Sequence, residues 1–256
     1  AARDSLMRGV AAAPEGLAGP EWVELVDPSA DAELTRMLKA WREELARADD
    51  GLGASPAPAS RLTALRAELR QRGLDGFVVP RADEHQGEYV PRRSQRLAWL
   101  TGFRGSAGLA IVLANGAAIF IDGRYTLAVR AQVDTDAFVP HQIPEESPEA
   151  WITENLTKGG KLGFDPWLVT VDGHDRFARA CQRAGAEFVP VDSNPVDAVW
   201  CDRPPAPLAP VLPHPDEFAG ESSATKRARI AGVVKAKGAD VALITQPDSI
   251  AWLLNV

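Results

Sequence analysis

Cysteine is nearly absent from this chain. Its 256 residues hold two, Cys181 and Cys201, with no C-x-x-C spacing. Neither a disulfide framework nor a zinc cluster is therefore implied, and a reducing, cytoplasmic setting fits best. Basic charge is in deficit, with 28 Lys and Arg against 35 Asp and Glu and a formal net charge of -7. A nucleic-acid-binding face, which needs clustered cations, is therefore not expected. The densest basic group, Arg92, Arg93 and Arg96, reads as a solvated helix face. Long apolar runs are missing too: none approaches the ~18 residues of a membrane span, and the first residues show no basic segment leading into an apolar one. The expectation is a soluble, unexported protein that binds neither nucleic acid nor membrane.

The length suits two domains, each with a core of its own. Residues 1–60 form an unassigned extension. Within it, Leu34, Met37, Leu38, Trp41 and Leu45 recur at helical spacing, so residues 31–48 read as an amphipathic helix, and D-D-G-L-G-A-S-P-A-P-A-S (49–60) reads as a linker. From Arg61 the pattern alternates as an α/β domain requires. Leu62, Leu65 and Leu69 mark a helix stopped by Gly73, and residues 77–80 a buried strand. Residues 108–114 and 117–122 are apolar runs joined by Asn115-Gly116, a strong hairpin signal. Residues 124–133 read as a helix, Ser147-Pro148 as a helix start, 161–164 as a strand, 172–184 as a helix ended by Gly185, and 187–191 as a strand. A hairpin among helix-connected strands implies a mixed sheet flanked by helices over residues 61–200. The proline-rich residues 201–221 are a second linker. Residues 222–256 begin a second α/β domain, with a helix capped at Ser222 or Ser223 and ended at Gly238, then a buried strand over 241–245. One helix and one strand bury little core, so Val256 is not expected to be a natural end.

Charged groups stand beside glycines and aromatics between Asp83 and Tyr125, a mixture that core segments avoid because an unpaired buried charge is costly. Asp83, Glu84, His85 and Glu88 are ligand types, but adjacent residues cannot all face one ion, and no second histidine stands at i+4. A hydrogen-bonded loop is the preferred reading, so Asp83 and His85 are expected to be structural. Gly105-Ser106-Ala107-Gly108 matches neither a nucleophile elbow nor a phosphate loop, and reads as small residues entering a hairpin at close quarters. His141, His174 and His214 fall in separate segments and are expected on the surface or in loops. Asp122-Gly123-Arg124-Tyr125 sits where a strand gives way to a helix. Arg124 there could bind a substrate carboxylate or carbonyl, or it could only pair with Asp122 or brace a domain interface. No catalytic residue and no metal ligand is expected in the chain.

D-E-H-Q-G-E-Y, then R-R-S-Q-R-L-A-W-L-T-G-F-R-G-S-A-G, then F-I-D-G-R-Y, in that order, resemble the amino-terminal domain of Xaa-Pro aminopeptidase (aminopeptidase P), of the creatinase/prolidase "pita-bread" superfamily. The resemblance runs from Arg61 to Val256. It implies a creatinase-like amino-terminal domain and the start of a second, similar domain. It also implies an intact enzyme that removes the amino-terminal residue from short peptides with proline second. Two divalent metal ions, manganese by resemblance, would be held by a catalytic domain whose ligand motifs this chain lacks, so the chain alone is expected to be inactive and to carry no cofactor. Its roles would be substrate access and homodimerisation. The alternative is a stand-alone creatinase-like module that binds a peptide or partner without catalysis.

Overall fold

Leucines 62, 65 and 69 lie on one helical stripe. In a computed structural model, which describes residues 57–256, they are buried on the inner face of α1 (Pro58–Gln71). Proline at the first helical position starts α1 without losing a hydrogen bond. Gly73, at φ +68°, ends it: the Leu74 N–H donates to the Leu69 carbonyl at 2.9 Å and that of Gly73 to Arg70 at 3.1 Å. The amphipathic pattern over 31–48 falls outside the described residues.

Six strands follow: β1 (Gly76–Pro80), β2 (Gly108–Leu113), β3 (Ala117–Asp122), β4 (Val139–Ile143), β5 (Lys161–Phe164) and β6 (Glu187–Pro190). They form one sheet in the order β4-β3-β2-β1-β5-β6. The β1–β2 and β2–β3 pairs are antiparallel and the other three parallel, so the sheet is mixed, as the sequence pattern implies. Alternate residues feed two cores. Phe77, Val79, Ile119 and Ile121 pack on one face against α1 and α2 (Arg96–Thr101). Val78, Ala118 and Phe120 pack on the other with Ile152 of α4 (Pro148–Asn155) and Phe177, Ala180 and Cys181 of α5 (Val171–Ala184). A 3₁₀ turn (Gly123–Tyr125) and α3 (Thr126–Gln132) follow β3, while α6 (Pro195–Val199) closes the first face beside α1. Beyond residues 201–215, which have no regular structure, come α7 (Asp216–Ala219), α8 (Ser223–Ala236) and α9 (Pro247–Leu254).

Three expectations change. The hairpin forms as expected, with neither Asn115 nor Gly116 at a positive φ. Its end is fastened from outside: the Leu113 carbonyl accepts from Arg66 Nε at 2.9 Å, and the Ala114 N–H donates to the Asp75 carbonyl at 3.3 Å. Arg96 is not on a solvated face. It is buried and bound in two-point contact to Asp197 of α6, with Nε–Oδ1 and Nη2–Oδ2 both 2.8 Å, a partner 101 residues away that no local pattern shows. His141 lies on β4, its ring stacked on Phe120 at 5.1 Å and its Nδ1 2.9 Å from Glu146. Residues 241–245 form no strand, and Val241 and Leu243 are 81% and 88% exposed. A strand needs a neighbour's backbone groups, and none of the described strands pairs with these residues. Unforeseen was β4 itself. Pro140 breaks the strand pattern but is tolerated because β4 is an edge strand.

Candidate functional site

Strands β1, β3, β4, β5 and β6 all run one way, because β2 alone is antiparallel to its neighbours. Their carboxyl ends therefore meet at one edge of the sheet, the edge where open α/β folds place ligands. Pro80, Asp122, Ile143, Phe164 and Pro190 end there, and the loops that follow carry most of the sequence's polar motifs.

At the end of β3 the Asp122 carboxylate caps the 3₁₀ turn. Its Oδ1 accepts from the Arg124 N–H at 2.9 Å, and its two oxygens take Arg124 Nε at 3.1 Å each and Nη2 at 2.6 Å. This hydrogen bonding holds the Asp122 carboxyl below its ordinary range and raises Arg124 further. Glu88, from the loop after β1, adds a smaller pull on the Arg124 cation. One edge of the guanidinium is thus fixed while the side chain stays 68% exposed. Its carbon also lies 5.3 Å from the centre of the Tyr125 ring.

Tyr125 ties the turn to the start of β2. Its hydroxyl accepts from the Ser106 N–H at 3.0 Å and lies 2.8 Å from Ser106 Oγ, contacts that lower its pKa from the ordinary phenol value. Its ring meets Phe103 edge-on at 5.4 Å. Phe103 in turn explains Gly105 and Gly108: a Cβ on either would fall 2.3 Å or 2.9 Å from the Phe103 ring. The Ser106–Tyr125 pair escaped the sequence reading because 19 residues separate its members, although both stood in motifs already singled out.

Asp83 is 3% exposed and organises the loop after β1, its Oδ1 accepting from the N–H groups of His85 at 3.1 Å and Gly87 at 3.0 Å. The loop uses the backbone of His85 and leaves its imidazole exposed. Gln86, at φ +53°, sends Nε2 to the Leu168 carbonyl at 3.3 Å, joining this loop to the one after β5. Among the described residues no three His, Cys, Asp or Glu side chains converge as metal ligands. These residues do not fit a metal ion. What the edge offers is a presented cation beside a hydrogen-bonded tyrosine, able to hold a carbonyl or carboxylate but not to attack one.

Comparison with known proteins gives consistent matches. The family model described as Creatinase/Prolidase N-terminal domain matches residues 61–199, and a second of the same description matches residues 202–256. Aminopeptidase P1 of Arabidopsis thaliana is 34% identical over 197 residues, covering 76% of this chain and 30% of the relative. Xaa-Pro aminopeptidase 2 of Sus scrofa is 34% identical over 200 residues, covering 77% and 30%. Among solved structures, the X-prolyl aminopeptidase from Caenorhabditis elegans, described as a cytosolic enzyme with a di-nuclear active site, superposes with a TM-score of 0.70. It is 28% identical, over 78% of this chain and 35% of that one. The chain spans about a third of the length of the relatives it matches.

Proposed function

The chain belongs to the Creatinase/Prolidase N-terminal domain family, and from that premise we propose that it is the non-catalytic amino-terminal part of a Xaa-Pro aminopeptidase. The intact protein removes the amino-terminal residue from short peptides whose second residue is proline. Two divalent metal ions, manganese in this reading, sit in a further domain and supply the activated water. Residues 61–200 shape access to that site and contribute to a homodimer in the cytoplasm. Residues 201–221 link them to a second α/β domain that begins at residue 222.

One observation carries the reading: a fixed but exposed guanidinium, Arg124, stands at the carboxyl edge of the sheet in a chain whose relatives are Xaa-Pro aminopeptidases. Arginine's planar fork binds a peptide carbonyl or carboxylate at two points, and Asp122 removes the entropy cost of orienting it. In this role Arg124 orients substrate, and bond cleavage belongs to groups outside the described residues.

The test is release of the first residue from a tripeptide with proline second, compared with its alanine-second counterpart, by the intact protein with and without added manganese. Manganese-dependent turnover of the proline peptide alone supports the reading. An intact protein that binds the peptide and turns over neither would instead be the stand-alone binding module.

A further inference from the structure

Residues 203–215 read R-P-P-A-P-L-A-P-V-L-P-H-P. Pro204, Pro207, Pro210 and Pro213 recur every third residue, the repeat of a polyproline II helix, so all four lie along one side of such a helix. Proline fixes its own φ near the polyproline value, and it drives the residue before it out of the helical region towards extended backbone. Within 203–215 only Leu208 and Val211 are neither a proline nor next before one. Local sterics thus fix φ at each proline and bias each residue before one towards extended backbone, without help from packing. The segment has no regular secondary structure, residues 205–213 are exposed throughout, and among the described residues no backbone hydrogen bond joins 204–213 to anything.

Both ends, by contrast, are fastened. Arg203 Nε donates to the Arg93 carbonyl at 2.8 Å, its Nη1 lies 2.8 Å from Asp197 Oδ2, and its N–H donates to the Trp200 carbonyl at 3.2 Å. At the far end the His214 N–H donates to the Asn255 carbonyl at 2.7 Å. The Asn255 side chain is held in turn by Lys226 Nζ at 2.6 Å and donates to Asp216 Oδ1 at 2.8 Å. A tether that merely joined two parts would need neither the anchors nor the proline period.

We propose that residues 203–214 are a polyproline II strut, pinned at both ends, that sets the distance and rotation of α8 and α9 relative to the sheet. Eleven residue steps separate Arg203 from His214. Their reach is about 34 Å at ~3.1 Å per residue in polyproline II, against about 18 Å root-mean-square for a flexible chain of the same length.

Nitroxide labels on Cys201, which is exposed, and on an introduced Ala228→Cys on the exposed side of α8 report the separation by pulsed electron-spin distance measurement. Cys181 is buried and escapes labelling. A single narrow distance distribution is expected. Replacing Pro204, Pro207, Pro210 and Pro213 together by serine should broaden it at least twofold and shorten its mean. Inserting one further Leu-Ala-Pro triplet after Pro210 adds one full polyproline turn. It should lengthen the mean by up to ~9 Å and keep the distribution narrow, whereas a flexible tether would gain only ~2 Å. A broad distribution in the unmodified chain would overturn the strut. So would a triplet insertion that leaves the distance unchanged, because α8 and α9 would then be placed by some other contact.

Discussion

Replacing Asp197 by alanine should destabilise the sheet domain far more than its partly exposed position suggests. Its carboxylate binds Arg96 through two 2.8 Å contacts and Arg203 through a third, also 2.8 Å, so it joins α6, α2 and the first residues after α6. The Arg96 side chain is 8% exposed, and its Nη1 already lacks a partner. Removing the carboxylate leaves that cation buried without an anion. Breaking a buried pair from one side costs about 3–5 kcal/mol, and here the figure needs discounting because Asp197 and Arg203 are 22% and 20% exposed and water reaches both. A loss of about 2–4 kcal/mol is expected, which for a unit of this size lowers Tm by roughly 5–15 °C. Urea unfolding followed by tryptophan fluorescence suits the measurement, because Trp99 of α2 and Trp200, the residue that ends α6, stack at 5.2 Å. The double substitution Arg96→Met with Asp197→Leu should recover part of the loss, since it leaves no unpaired cation in the buried Arg96 position, while Arg203, 20% exposed, loses its partner where water can reach it. If Asp197→Ala stays within about 0.5 kcal/mol of the wild type, the range of ordinary surface substitutions, the cluster does not hold α6.

In the intact protein, Arg124→Lys should lower kcat/KM for a proline-second peptide by roughly ten- to a hundredfold at a near-normal Tm, the scale of one lost charge-assisted contact to substrate. Normal kinetics with a lower Tm would assign Arg124 to bracing the end of β3. Burial pushes the Cys181 thiol up to about 11, so at pH 8 iodoacetamide should modify Cys201 and reach Cys181 only after denaturation, as mass spectrometry of the two peptides would show. The same shift has a sign in stability. The unfolded chain loses this proton near the ordinary ~8.5, so the contribution of Cys181 is complete below that pH and declines as pH rises towards 11. Denaturant midpoints that hold steady for the wild type from pH 8.5 to 10.5, and do not differ from those of Cys181→Ala in slope, would contradict this.

What the sequence determined by itself is local. Helix α1 and its glycine stop, the β2–β3 hairpin, the Ser147-Pro148 start of α4, β5, α5 with Gly185, and the start of α8 to within one serine, Ser222 or Ser223, were all legible, because caps, turns and apolar periods act over a few residues. The polar composition of the Asp83–Tyr125 stretch was legible too, and with it the interest of Arg124. Tertiary structure decided which of those groups meet. Tyr125 finds Ser106 across 19 residues, Arg96 finds Asp197 across 101, and Glu88 is brought near Arg124 because β1 and β3 end at the same edge. It also decided that Val139–Ile143 is a strand and residues 241–245 are not. The apolar pattern alone pointed the other way. A strand exists only where a neighbour offers its backbone, and which neighbour that is depends on the path of the whole chain, not on the residues of the strand.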